Sequence, residues 1–385
     1  MANGLPSLPC GLLTADAARS LVDSVDAFLF DCDGVIWKGD KLIDGVPETM
    51  ELLRKLGKKL VFVTNNSRKS RKQYSKKFSA LGLEVTEEEI FTSSFAAAMF
   101  LKLNNFPSEK KVYVVGEDGI LEELKLAGFE CFGGPEDGKK SIKLEADFYF
   151  EHDKSVGAVI VGLDQHFNYY KMQYARTCIS ENPGCLFIAT NRDPTGHMTS
   201  AQEWPGAGTM VAAVSCSVQK EPVVVGKPSS FLMDFLLKSF NLETSRMCMV
   251  GDRLDTDILF GQNTGCKTLL VLSGCTTLAE LQDASNKIHP DHYTNSVHDL
   301  VGLGAHQSSP GLASGGVAWT LSAEVVARMT VELGRGGSEK DNDGMKERVG
   351  NGGLGGLGSC QPLAWSFDET LARQGRMWGW GNGDG

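Results

Sequence analysis

The stretch Phe28-Leu29-Phe30-Asp31-Cys32-Asp33-Gly34-Val35 ends an apolar run on two carboxylates one residue apart. Three apolar residues placed this way read as the end of a buried strand. Side chains of an extended chain alternate, so Asp31 and Asp33 project to one side and Cys32 to the other. Gly34 then allows a sharp turn off the strand. Two acids crowded at a strand end repel each other unless a cation or a shared proton lies between them. Taken alone, a solvated loop with a chance pair of acids is an equal reading, and the stretches downstream decide between them.

Residues 47–56 show helical spacing, with Met50, Leu53 and Leu56 facing inward and Gly57 as the stop. Leu60-Val61-Phe62-Val63 is a second buried strand, running into Thr64-Asn65-Asn66. Strand, helix, strand in this order implies a right-handed parallel crossover. Ligands of open parallel sheets sit at the carboxyl ends of the strands, where both polar clusters fall. The basic run from Arg68 to Lys77 reads as a solvated helix face rather than a nucleic-acid patch.

A second α/β unit over residues 110–204 contains strands at 111–116, 158–162 and 186–189, the last running into Thr190-Asn191-Arg192-Asp193. Gly206-Ala207-Gly208 opens an apolar helix, with anion binding the lesser reading. Val223-Val224-Val225-Gly226-Lys227-Pro228 suggests a nucleotide loop but cannot be one. Glu221 stands where that motif needs glycine, and Pro228 where it needs serine or threonine. Met247 to Val250 is a further strand and leads into Gly251-Asp252-Arg253-Leu254-Asp255-Thr256-Asp257. His289 and His292 are read as surface-loop residues rather than a metal pair.

The expected architecture is α/β, a Rossmann-like parallel-sheet core with an inserted α/β unit. An extension over 1–20 precedes the core at 21–109 and 205–300, and the insert spans 110–204. About half of the chain's 44 glycines follow residue 300. Apolar spacing largely vanishes there, so 301–385 is read as a disordered tail outside the fold. The net charge of −10 argues against nucleic acid as a partner. No apolar run reaches the roughly 18 residues of a membrane span. The first twenty residues have neither a signal nor a transit pattern, and the ten scattered cysteines suit a reducing compartment, so a cytoplasmic protein is expected.

Together, Phe30-Asp31-Cys32-Asp33-Gly34, Val63-Thr64-Asn65-Asn66, Gly226-Lys227-Pro228 and Gly251-Asp252 through Asp257 resemble the four motifs of the haloacid-dehalogenase-type phosphatases. The insert resembles the large α/β cap of the subgroup containing phosphoglycolate, p-nitrophenyl and pyridoxal phosphate phosphatases. Within it, Ser24 to Gly39, Glu181 to Asp193 and Met249 to Gly261 are similar to the plant-type phosphoglycolate phosphatases, in their cytosolic form. The tail departs from that pattern and reads as aberrant, from a different final exon or intron read-through.

The resemblance implies a phosphomonoesterase with Asp31 as nucleophile and Asp33 as general acid and base. It implies phosphate contacts from Thr64, Asn65, Asn66 and Lys227. It also implies Mg2+ held by Asp31, Asp33 and Asp252, with Asp257 behind them. Cap residues Asn191, Arg192, Asp193 and His197 are candidates for selectivity, with Arg192 or His197 supplying a cation for a substrate carboxylate. The substrate would be a small phosphorylated metabolite, 2-phosphoglycolate first. Glycerol 3-phosphate, pyridoxal phosphate or p-nitrophenyl phosphate is the broader alternative, and a non-catalytic phosphometabolite-binding protein the alternative of another class. A homodimer through the cap is left open.

Overall fold

The computed structural model describes residues 10–302 except 197, 198, 200 and 241. His197 and the glycine-rich stretch from 303 onward lie outside the described residues. The chain starts with β1 (Gly11–Leu12) and α1 (Ala15–Ser24), then β2 (Ala27–Phe30), which runs into Asp31. A small hairpin of β3 (Trp37–Lys38) and β4 (Lys41–Leu42) precedes α2 (Val46–Lys55), β5 (Lys59–Thr64), α3 (Arg71–Ala80), β6 (Ile90–Thr92) and α4 (Ser93–Leu103). The inserted unit contributes β7 (Lys111–Val115), α5 (Asp118–Leu126), β8 (Cys131–Gly133), β9 (Val156–Val161), α6 (Tyr169–Glu181) and β10 (Leu186–Ala189). After β11 (Thr195–Gly196), β12 (Trp204–Pro205), α7 (Ala207–Val218) and β13 (Val223–Val224), the chain continues with α8 (Phe231–Phe240) and β14 (Met247–Gly251). A π-turn at Leu254–Ile258 leads into α9 (Leu259–Thr264), β15 (Lys267–Val271), α10 (Leu278–Gln282), β16 (His292–Thr294) and α11 (Asp299–Gly302).

The core sheet has the order β1-β16-β15-β14-β2-β5-β6, with every pair parallel. β2 lies in its interior, so both faces of Ala27–Phe30 must be apolar. Phe28 and Phe30 pack on one face with Phe62, Phe78 and Trp37. Ala27 and Leu29 pack on the other with α4, α8 and the insert's Val112, Val114, Ala158 and Ile160. The insert forms its own parallel sheet, β13-β10-β9-β7-β8. One apolar cluster thus joins the two sheets through a shared layer of helices.

The sequence reading closed the insert at 204. Its sheet also takes in Val223–Val224 beside β10, and α7 buries Val211 and Val214 in the same cluster as β9 and β10. Leu56, expected inward, is 52% exposed because α2 ends one residue earlier and the chain turns out at Gly57, whose φ is +73°. His292 opens a strand instead of sitting in a loop.

Where the insert meets the core, contacts are close and polar. Gly119 N donates to Arg68 O at 3.1 Å, and a Cβ at Gly119 would lie 2.5 Å from the Lys69 carbonyl carbon. Buried Glu123 accepts from Arg71 N at 2.7 Å and Arg71 Nε at 3.2 Å, while the same guanidinium lies over the Phe95 ring. Ser70 and Gln73 close α3 with reciprocal side-chain to backbone bonds. The loop after β5 is therefore fixed from both sides.

Candidate active site

β2, β14 and β5 are neighbours, so Asp31, Gly251-Asp252 and Thr64 emerge at adjacent carboxyl ends. Asp31 N donates to Val250 O at 2.9 Å, which fixes the backbone of Asp31 against β14. Gly34, at φ +89°, turns the chain away immediately, and a Cβ there would lie 2.5 Å from Asp252 Oδ2. Only glycine permits both that backbone conformation and that approach.

Lys227 arrives from the segment after β13 and is 1% exposed. Its Nζ lies 2.6 Å from Asp31 Oδ1, 2.6 Å from Val63 O and 2.8 Å from Asp257 Oδ1. The Asn65 side chain holds the lysine's backbone at both ends, accepting from Lys227 N at 2.8 Å and donating to Lys227 O at 3.0 Å. It also donates to Asp193 at 3.1 Å, so one amide ties the insert to the core beside the lysine. Asn65 was expected among the phosphate contacts; its side chain is committed to this clip.

Asp31, Asp252 and Asp257 each offer a carboxylate oxygen, and these oxygens lie within 4.8 Å of one another. Among the described residues no other group of acidic, histidine or cysteine side chains is grouped this way, His289 and His292 included. Burial and the neighbouring Asp257 raise the Asp252 pKa to about 7. Burial pushes Asp31 well up, opposed by Lys227 and reinforced by the two other acids. Burial works against the charge on Lys227, but Asp257 and Asp31 together raise its pKa above the usual range. The cluster thus has more negative charge than one ammonium balances, and its oxygen donors suit a hard divalent cation. Asp257 spends Oδ1 on Lys227, while its Oδ2 accepts from Asp252 N and Arg253 N at 3.1 and 3.0 Å. Asp252 Oδ2 accepts from Cys275 N at 2.7 Å.

These groups lie in a cavity of about 1590 Å³. Asp33 lines it, with Oδ1 accepting from Trp37 Nε1 at 2.9 Å. Thr64 and Asn66 line it too, the Thr64 hydroxyl accepting from Asn66 N at 3.2 Å. From the insert, Asn191 and Asp193 reach the cavity. Arg192 is not among its lining residues; its exposed guanidinium pairs with Glu221. Gly206 and Gly208 allow α7 to close on this loop, since a Cβ at either would collide with the Asp193 or Arg192 carbonyl oxygen.

Sequence reasoning missed the cavity's basic wall. Arg68, Lys69, Lys76 and Lys77 line it, although their run was read as a solvated face. Two signals were present: the loop after the Thr64 strand end leads into α3 within a few residues, and Gln73, Lys76 and Lys77 share one face of that helix. Arg253 was passed over as well; it lines the cavity, and Asp255 and Asp193 help hold its charge.

Residues 28–130 match the haloacid dehalogenase-like hydrolase family, and residues 224–300 match a HAD-hydrolase-like model. The chain is 66% identical over 293 residues to phosphoglycolate phosphatase 2 of Arabidopsis thaliana, covering 76% of this chain and 97% of that one. It belongs to the haloacid dehalogenase-like hydrolases. Among solved structures it is similar to a p-nitrophenyl phosphatase from Archaeoglobus fulgidus (TM-score 0.62, 33% identity, 72% of this chain and 99% of that one). It is also similar to a glycerol phosphate phosphatase from Mycobacterium tuberculosis in complex with magnesium (TM-score 0.61, 27% identity, 73% and 77%). The two parallel sheets are the core and cap of this hydrolase fold.

Proposed function

We propose that this hydrolase cleaves 2-phosphoglycolate to glycolate and phosphate through a phosphorylated Asp31. The 66% identity to the Arabidopsis thaliana enzyme, over nearly all of that enzyme's length, carries the substrate assignment. Asp31 attacks phosphorus, splitting one hard displacement into two easier ones. Lys227, 2.6 Å from Asp31 Oδ1, holds the nucleophile and neutralises charge on the transferring group. Asp33 gives a proton to the leaving alkoxide, then removes one from the water that hydrolyses the intermediate. Thr64 and backbone N–H groups of the same loop face the phosphoryl oxygens.

The cluster of oxygen donors fits Mg2+, which Asp31, Asp252 and the Asp33 carbonyl would hold, with Asp257 fixing Lys227 behind them. When bound, the ion supplies positive charge to the phosphoryl oxygens. The substrate carboxylate is taken by the basic wall, where Lys69 and Lys76 are exposed to the cavity. Arg192, paired with Glu221, is not required for it.

A broader phosphatase is the second reading, favoured by a cavity of about 1590 Å³ that exceeds the needs of a two-carbon acid. kcat/KM measured with Mg2+ on 2-phosphoglycolate, glycerol 3-phosphate, pyridoxal phosphate and p-nitrophenyl phosphate decides between them. The first substrate should lead by at least about tenfold, one step of 1.4 kcal/mol, and equal values would favour the broad reading. Equal inactivity of the wild type and Asp31→Asn would point to a binding protein. A cytoplasmic location fits the described cysteines, all free thiols. A dimer through the cap would cover its exposed Leu144, Phe148 and Tyr149.

A further inference from the structure

Among the described residues Trp37 is the largest side chain that the core buries completely, and it carries one polar atom. That atom, Nε1, donates to Asp33 Oδ1 at 2.9 Å. Three residues on one face of α3 grip the indole. Tyr74 stacks on it at 6.1 Å and 28°, Phe78 meets it edge-on at 4.8 Å, and Lys77 Nζ stands 4.2 Å from a ring centroid. The same ammonium donates to Gly39 O at 2.9 Å, at the turn between β3 and β4. The main chain closes the loop as well, since Gly34 N donates to Trp37 O at 2.7 Å and Trp37 N to Cys32 O at 3.2 Å.

A buried tryptophan satisfies its N–H with whatever acceptor is near, and a backbone carbonyl would serve. Here the N–H is given instead to a carboxyl group that lines the cavity. An indole donor fixes one carboxyl oxygen and leaves the other for proton transfer. A carboxyl group otherwise turns about its last bond with little preference.

We propose that Trp37, held by Lys77, is a positioning residue that sets the orientation of the Asp33 carboxyl for proton transfer to the leaving group. The proposal rests on the reading of Asp33 as the acid. Lys77 acts one step further out, pinning the β3–β4 turn and the indole to α3, so that the acid's orientation is set by a helix of the core and not by the short hairpin alone.

Leaving groups provide the test. An alkoxide leaves only with a proton, whereas p-nitrophenolate is stable without one. The formation of phosphorylated enzyme should therefore respond to the acid's orientation for 2-phosphoglycolate and hardly at all for p-nitrophenyl phosphate. Single-turnover rates with Mg2+ would be measured for wild type, Trp37→Phe, Lys77→Met, Lys77→Arg and Asp33→Asn. Trp37→Phe keeps an aromatic ring and loses the N–H. It should slow the step with 2-phosphoglycolate by about 10- to 100-fold and the step with p-nitrophenyl phosphate by less than about twofold, with KM little changed. Lys77→Met should show the same selective loss to a smaller degree in the rate at saturating substrate, and Lys77→Arg should restore it. Because Lys77 also lines the cavity, a change confined to the concentration of 2-phosphoglycolate giving half-maximal rate would assign it to substrate binding and overturn its positioning role. Equal loss on both substrates for Trp37→Phe, or no loss, would overturn the proposal, since a packing defect alone does not discriminate leaving groups. Asp33→Asn separates the two readings. If it is not selective, the assignment of Asp33 fails; if it is selective and Trp37→Phe is not, only the positioning role fails.

Discussion

Lys227 places one ammonium against two buried carboxylates and a carbonyl, with Nζ 2.6 Å from Asp31, 2.8 Å from Asp257 and 2.6 Å from Val63 O. Its pKa is raised in the folded state, so the stability it supplies is fully present below the unfolded value near 10.5 and fades only as pH rises through the folded value. The acids behave in the opposite sense. Burial raises Asp31 and Asp252 above their unfolded value of 3.8, so their ionisation costs stability as pH rises from about 4 through the folded values, about 7 for Asp252. Lys227→Met should therefore destabilise the metal-free protein by about 3–5 kcal/mol at pH 8 and by clearly less at pH 5, where protonation relieves the acids. Urea unfolding at the two pH values measures this; equal losses would show that the lysine does not balance those charges. Asp31, Thr64, Lys227 and Asp252 were legible because each stands at the end of an apolar run or beside a glycine. The clip made by Asn65 was not, since its partners Lys227 and Asp193 lie 162 and 128 residues away in the chain.

At the scale of elements, strand ends place the chemistry and the insert's loops are locked onto them. The loop after β9 illustrates how. Lys171, in the first turn of α6, gives two bonds to Asp164, at 2.7 and 3.0 Å, with both side chains inaccessible. Asp164 also accepts from His166 N, and the adjacent Leu163 N reaches Ser67 Oγ in the core at 3.4 Å. Lys171→Met leaves a buried carboxylate without its partner and should cost about 3–5 kcal/mol, while Lys171→Met with Asp164→Leu should recover most of it. Denaturant midpoints of the two variants check this, and a single variant within about 1 kcal/mol of wild type would refute it. Apolar runs of four or more residues announced β2, β5, β7, β9, β10 and β14. β8 and β16, three residues each, have too few apolar positions to stand out. The place of Val223–Val224 in the insert's sheet was not legible, because sheet membership depends on long-range pairing with Ile188 and Ala189.

For the whole molecule, a net charge of −10 coexists with a cavity whose lining brings Arg68, Lys69, Lys76, Lys77, Lys227 and Arg253 together with acids such as Asp31, Asp193, Asp252 and Asp257. Composition alone pointed away from nucleic acid, and only the fold reveals that these cations, separated in sequence, face one space. The α/β class, the parallel core and the inserted second sheet were readable because hydrophobic runs alternate with helical spacing throughout residues 27–300. How the insert is held was not readable. It depends on Gly119, Gly162 and Glu123, whose close contacts with residues 67–71 exist only once both units are folded. The central claim is that a phosphoryl group passes to the carboxylate of Asp31. The most direct measurement is rapid acid quenching of wild-type enzyme turning over phosphorus-labelled 2-phosphoglycolate with Mg2+, followed by peptide mapping. Label should appear on the peptide containing Asp31, stable to acid and lost in base, and be absent from Asp31→Asn; turnover with no labelled protein, or with label on another residue, would contradict it.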